Sequence, residues 1–168
     1  MSNLRFSPNK KSKLHQGFYS PKNKEKYKGK TLPYMRSAWE TKFAQFLDNS
    51  PNVLEWISEK PEIPYLNPLT GTIWKYHPDF LCKIKDSSGT RIELIEIKPK
   101  HETEPPIVTE KKRRKTLREQ QERWILNSAK WEAARAYCKA HKWNFKIIYL
   151  EGSSFKEAKK LNLTELLR

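Results

Sequence analysis

Three side chains in this sequence are of the types and spacing that serve a single reaction. Asp79 follows Pro78 within Tyr76-His77-Pro78-Asp79-Phe80, and Glu96 and Lys98 stand one residue apart in Glu96-Ile97-Lys98, at the end of the next apolar run. Two carboxylates brought together repel each other, and a divalent cation relieves that repulsion; Mg2+ suits such hard oxygen ligands. An ion held there polarises a non-bridging phosphate oxygen and acidifies its water, while an adjacent lysine orients that water and stabilises charge developing on phosphorus. The chemistry indicated is metal-assisted hydrolysis of a phosphodiester. An isolated Glu-x-Lys is also what an exposed strand face with a weak ion pair looks like, so the weight rests on its conjunction with Pro78-Asp79.

Positioning those groups requires a hairpin. Ile73 to Ile84 reads as one β-rich strand, Asp86-Ser87-Ser88-Gly89 as a turn, and Arg91 to Lys98 as the returning antiparallel strand. Alternation places Leu94, Glu96 and Lys98 on one face and Ile95 and Ile97 on the other. Pro78 marks an edge or a local distortion that aims Asp79. Upstream, Trp39, Phe43, Phe46 and Leu47 form the apolar face of a helix starting near Ser37, and Ser37-Ala38-Trp39-Glu40 is a capping-box pattern. Glu40 therefore reads as a cap, and beside a metal site also as a group able to contact the cation or its water. Val53 to Ile57 and Glu62 to Tyr65 are short strand candidates before the turn Asn67-Pro68-Leu69-Thr70-Gly71. Beyond Pro99 a proline-bearing connector leads into a charged helical region from about Val108 to His141, as one helix or two. Trp124, Ile125, Ala129, Ala133, Ala136, Tyr137 and Ala140 form its apolar stripe. Phe145 to Leu150 then reads as a buried strand and Phe155 to Leu167 as a terminal helix.

With 168 residues, 34 Lys and Arg against 19 Asp and Glu, and a net charge of +15, the chain fits one domain whose positive field attracts polyanions, nucleic acid foremost. Residues 1–36 form a basic, partly extended arm outside the core, with ten Lys and Arg, among them Lys10, Lys11, Lys13 and Arg36, against the single acid Glu25. Residues 37–168 form the domain proper. A second basic cluster, Lys111, Lys112, Arg113, Arg114, Lys115 and Arg118, opens the long helical region, as a DNA-binding face or as a solvated helix start. Cys82 and Cys138 suggest neither a disulfide framework nor a zinc site. No apolar run approaches membrane-spanning length, and no phosphate-cradling glycine loop supports a nucleotide cofactor.

The series Glu40, Pro78-Asp79 and Glu96-Ile97-Lys98, in helix, strand, strand, helix, strand order, resembles the PD-(D/E)XK nuclease superfamily. Within it the chain is most similar to the tailed-phage head completion nuclease family, related to the endonuclease subunit of some transposases. The likeness extends through Gln16-Gly17-Phe18-Tyr19, Lys26-Tyr27-Lys28-Gly29, Arg36-Ser37-Ala38-Trp39-Glu40, Leu54-Glu55-Trp56-Ile57-Ser58-Glu59, Ile95-Glu96-Ile97-Lys98-Pro99-Lys100, and Asn127 with Lys130-Trp131. It implies an α/β, restriction-endonuclease-like core, a central mixed β-sheet flanked by helices. Asp79, Glu96 and the Ile97 carbonyl would hold Mg2+, with Mn2+ as a substitute, Lys98 would assist the attacking water, and Glu40 would support the site or touch the metal. It also implies DNA as substrate, head, portal or neck proteins as partners, and action in the host cytoplasm during assembly, or on the virion, before neck and tail join. Two other readings share the charge pattern: a non-enzymatic basic head or neck protein gripping DNA, and a branched-DNA resolvase or repair nuclease on the same fold.

Overall fold

The computed structural model describes residues 16–109 and 113–150. Its elements follow in the order β1 (Gly17–Phe18), β2 (Tyr34–Met35), α1 (Ala38–Asn49), β3 (Val53–Ser58), β4 (Ile63–Asn67), β5 (Thr72–Tyr76), β6 (Phe80–Asp86), β7 (Gly89–Pro99), α2 (Arg114–His141) and β8 (Asn144–Leu150). Among the described residues the principal sheet has the order β3-β6-β7-β8. Its first three strands are antiparallel, and β8 joins β7 in parallel through the α2 crossover. The result is a mixed sheet with a helix on each face.

Central strands covered on both sides lose the apolar and polar alternation of a half-exposed sheet. Residues 93–97 of β7 are accordingly all buried. Ile95 and Ile97 join Phe43, Leu47, Trp56, Phe80, Cys82 and Ile84 in the core beneath α1, whereas Leu94 packs with Ala134 and Cys138 of α2. A separate two-stranded hairpin, β4-β5, closes the α2 side by contributing Ile63, Tyr65 and Tyr76. Glu93, wholly buried on β7, ties that strand to β8: its Oε1 accepts from Asn144 Nδ2 of β8 at 3.2 Å, and from Arg91 Nε of its own strand at 2.6 Å.

Four expectations change. The run from Ile73 to Ile84 is two strands, because Pro78 breaks the ladder between β5 and β6 and sends them to different sheets. The long helical region is a single helix that begins at Arg114, with Ile107 and Val108 lying exposed before it. Its buried stripe is Asn127, Trp131, Ala134 and Cys138; Ile125, Ala136 and Ala140 are exposed, so the buried face is turned away from the expected stripe toward Leu94 and the β4-β5 hairpin. Part of the arm joins the core, with Tyr19 and Met35 buried in the same cluster as Phe43 and Trp56. Its anchor is Asp48, fully buried at the end of α1, which accepts from the Tyr19 hydroxyl at 2.8 Å and from the backbone amides of Lys22 at 2.7 Å and Asn23 at 3.0 Å. A buried carboxylate is tolerable only when donors replace water, and these three do so. The terminal helix expected at residues 155–167, and Lys10, Lys11, Lys13, Lys111 and Lys112, lie outside the described residues.

Candidate active site

Register brings the two carboxylates together. Phe80 pairs with Ile95 across the β6-β7 ladder, so Asp79, one residue before the strand, lies opposite Glu96. Its backbone carbonyl accepts from Glu59 N at 3.2 Å and its Oδ2 accepts from Ile97 N at 2.7 Å, fixing both ends of the residue between β3 and β7. Glu96 is 3% exposed. Its Oε2 accepts from the Tyr76 hydroxyl at 2.6 Å, and its Oε1 pairs with the Lys98 ammonium at 2.8 Å. The break at Pro78 thus does two things: it ends β5 with Tyr76 bonded to Glu96, and it leaves Asp79, just before β6, beside Ile97.

The electrostatics follow from burial and from like charges. The Asp79 carboxyl titrates well above the usual aspartate range, raised by burial and then by the Glu96 charge, with Lys98 opposing and Glu40 adding to the rise. The Tyr76 hydroxyl is raised by burial and by Glu96, so it remains a donor. Burial lowers Lys98, but Glu96 and Asp79 outweigh it and the ammonium is held above its ordinary value. Two buried carboxylates, one of them resisting ionisation, form a donor set suited to a divalent cation. Among the described residues no three His, Cys, Asp or Glu side chains cluster as a metal site. A cation would therefore draw its remaining ligands from backbone oxygen, water or phosphate.

Glu40 is not brought into a cluster with the other two carboxylates. Ser37 caps α1 by accepting from Glu40 N at 3.2 Å, and the Glu40 carboxylate answers with Oε1 on the Ser37 hydroxyl at 2.9 Å and Oε2 on Arg36 N at 2.7 Å. The capping role is therefore present. Its charge still reaches the site: burial raises the Glu40 carboxyl, Lys98 is among the charges that lower it, and Glu40 in turn raises Asp79.

A TnsA-like endonuclease N-terminal domain model matches residues 50–149, which span β3 to β8 and include Asp79, Glu96 and Lys98. Among curated proteins, the head completion nuclease of Enterobacteria phage T4 is 36% identical over 144 residues, covering 82% of this chain and 93% of that protein. The chain belongs to the TnsA-like endonuclease family.

Two residues of this endonuclease site carried no role in the sequence. Tyr76 was visible only as the start of the Pro78-Asp79 motif; its value lies in the β5 register, which no local pattern reveals. Lys130 of α2 is the other. Its ammonium lies 5.9 Å from the centre of the Tyr65 ring and is lowered by burial and then by the Lys98 charge, which sets it near the same centre. Among the expected DNA-binding residues, Arg36 makes an ion pair with Glu59. Arg113, Arg114 and Lys115 are exposed at the start of α2, where a helix N-terminus gains nothing from cations and an outside anion would offset them. His77 is exposed, with Nδ1 3.4 Å from the Glu59 carbonyl.

Proposed function

We propose that this chain is a divalent-metal-dependent DNA endonuclease that acts on the packaged DNA end during phage head completion, before the neck and tail join. The observation that carries the reading is the meeting of Asp79, Glu96 and Lys98 at the β6-β7 ladder, with Lys98 2.8 Å from Glu96. Asp79, Glu96 and the Ile97 carbonyl would hold Mg2+, or Mn2+ in its place. When bound, such an ion polarises a phosphate oxygen and acidifies its water. The protein's own groups do the rest. Tyr76 holds Glu96 in orientation through its hydroxyl, and the Ile97 amide does the same for Asp79. Lys98, kept protonated by two carboxylates, donates to the attacking water and to the phosphate oxygens on which charge accumulates. Glu40 supports the charge balance from the cap of α1.

The net charge of +15 supplies the long-range attraction for DNA. Lys10, Lys11, Lys13, Arg36 and the residues Lys111 to Lys115 are the cations to which backbone contacts are assigned. The name of the T4 relative supports a place in head completion, with head, portal or neck proteins as neighbours and the host cytoplasm as the setting. The test is incubation of supercoiled plasmid and linear DNA with Mg2+, Mn2+ or EDTA, beside the Lys98→Ala variant. Nicking that needs the metal and falls by about 100-fold or more in Lys98→Ala is expected. DNA binding without cleavage under every metal condition would instead support the non-enzymatic head or neck protein.

A further inference from the structure

The β4-β5 hairpin carries an aromatic side chain beside the candidate site that the hydrolysis leaves unused. Trp74 lies directly across from Tyr65, so both rings share the hairpin face that packs toward α2. Two residues further along the same strand and face comes Tyr76, whose hydroxyl holds Glu96. That separation is about 7 Å of strand. Tyr65 and Tyr76 are each 4% exposed, whereas Trp74 is 50% exposed. The indole N–H is already donated to Thr72 Oγ1 at 3.1 Å, which restrains the ring and leaves a flat apolar surface to offer. Lys130 stands over Tyr65 at 5.9 Å and feels the charges of Lys98 and Glu96. A continuous line therefore runs from Trp74 past Tyr65 and Lys130 to Tyr76, Glu96 and Lys98.

A lone exposed tryptophan needs no explanation. Here its surroundings select an occupant: Lys130 stands over Tyr65, the residue across from Trp74, Lys98 stands beside Glu96, and the chain as a whole carries +15. A polyanion bearing flat apolar rings complements that line, and an acidic or neutral protein surface supplies only one of the two features. We infer that Trp74 is a base-stacking platform and Lys130 the phosphate grip beside it, together holding the DNA strand that enters the site. The assignment deepens the endonuclease reading and rests on it for the position of the strand. A base inside a continuous duplex has both faces covered by its neighbours. The indole therefore takes a base only where the stack ends or the strand is unpaired. The substrate class that follows is DNA with frayed, gapped or single-stranded ends, in preference to closed duplex.

The test is binding in EDTA, where no cutting occurs, using three oligonucleotides carrying 2-aminopurine: a single strand, a duplex with a frayed end, and a duplex closed at both ends by loops. Replacing a stacking aromatic by alanine weakens binding by about 10-fold per base, so Trp74→Ala is expected to lose that factor on the first two probes, with loss of 2-aminopurine quenching. Trp74→Phe keeps a ring and should stay within about 3-fold of wild type, as should Trp74→Ala on the closed duplex. Lys130→Ala should lower the salt dependence of binding by about one counterion, and Lys130→Arg should restore it. Wild-type affinity of Trp74→Ala for the frayed probe, or an equal loss on all three, overturns the proposal. So does a change confined to the oligomeric state of Trp74→Ala, which would mark the hairpin as a protein interface. A wild-type protein that prefers frayed ends but never cuts with Mg2+ would remove the endonuclease reading while leaving the platform in place. Thermal melting of both Trp74 variants separates loss of folding from loss of stacking.

Discussion

Replacing Asp79 by asparagine should make the metal-free protein more stable while abolishing cleavage. Asn keeps an oxygen to accept from Ile97 N, now at 2.7 Å from Oδ2, and removes the charge that faces Glu96. Like charges about 5 Å apart repel by roughly 3 kcal/mol at an effective permittivity near 20. Lys98 already cancels part of this, and a neutral hydrogen bond is weaker than a charged one by about 1 kcal/mol, which leaves a net gain of about 1–2 kcal/mol. For a chain of this size that is a rise of about 2–8 °C in the melting midpoint. The sign with pH is fixed by the raised Asp79 carboxyl. In acid below the ordinary aspartate range the group is neutral in both folded and unfolded chains, and its native stabilisation is complete. As pH rises through the native value, the folded protein must give up a proton that it holds more tightly than the unfolded chain does, and that stability is lost. The asparagine variant has no such loss, so its advantage should appear on the alkaline side and vanish in acid. The assay is thermal unfolding in EDTA across that range, repeated with Mg2+, which should stabilise wild type and leave Asp79→Asn unmoved. A destabilised variant, or a gain independent of pH, would refute a carboxylate pair held in mutual repulsion.

Tyr76→Phe removes the 2.6 Å donor to Glu96, and loss of such a supporting hydrogen bond should raise the metal concentration for half-maximal nicking by about 10–100-fold; an unchanged midpoint would show that Tyr76 does not orient Glu96. Asp48→Ala strips the acceptor from Tyr19, Lys22 and Asn23 and should cost about 2–4 kcal/mol in denaturant unfolding, with early proteolysis between residues 20 and 33; wild-type resistance would detach the segment from the core. Glu40→Gln keeps one acceptor, for Arg36 N, and its amide can donate to Ser37 Oγ in place of accepting from it, so melting should stay within about 2 °C while nicking falls by about 10-fold, and equal activity would confine Glu40 to the cap.

The site was legible where chemistry and local periodicity coincide. Asp86-Ser87-Ser88-Gly89 set the turn, the turn set the register, and the register placed Asp79 against Glu96. Ser37 and Glu40 declared the start of α1 because a cap is a local contract between residues three apart. What escaped depends on distant partners. The division of Ile73 to Ile84 into β5 and β6 is a choice between two sheets, made by what packs beneath each half. The buried stripe of α2 passes through Asn127, whose polar type does not mark it as core, and through Trp131, one turn further on, and that rotation also brings Lys130 toward Lys98. The packing of residues 16–35 depends on Asp48, a lone acid whose donors lie more than twenty residues upstream.

The proposed cleavage requires one cation shared by Asp79 and Glu96. Calorimetric titration of Ca2+ into the protein bound to a DNA oligonucleotide, for wild type and Glu96→Gln, measures this directly, because Ca2+ occupies oxygen sites of this kind. One ion bound per site in wild type, with that event lost in Glu96→Gln, is the result predicted. Equal uptake by both proteins, or none by either, would contradict it.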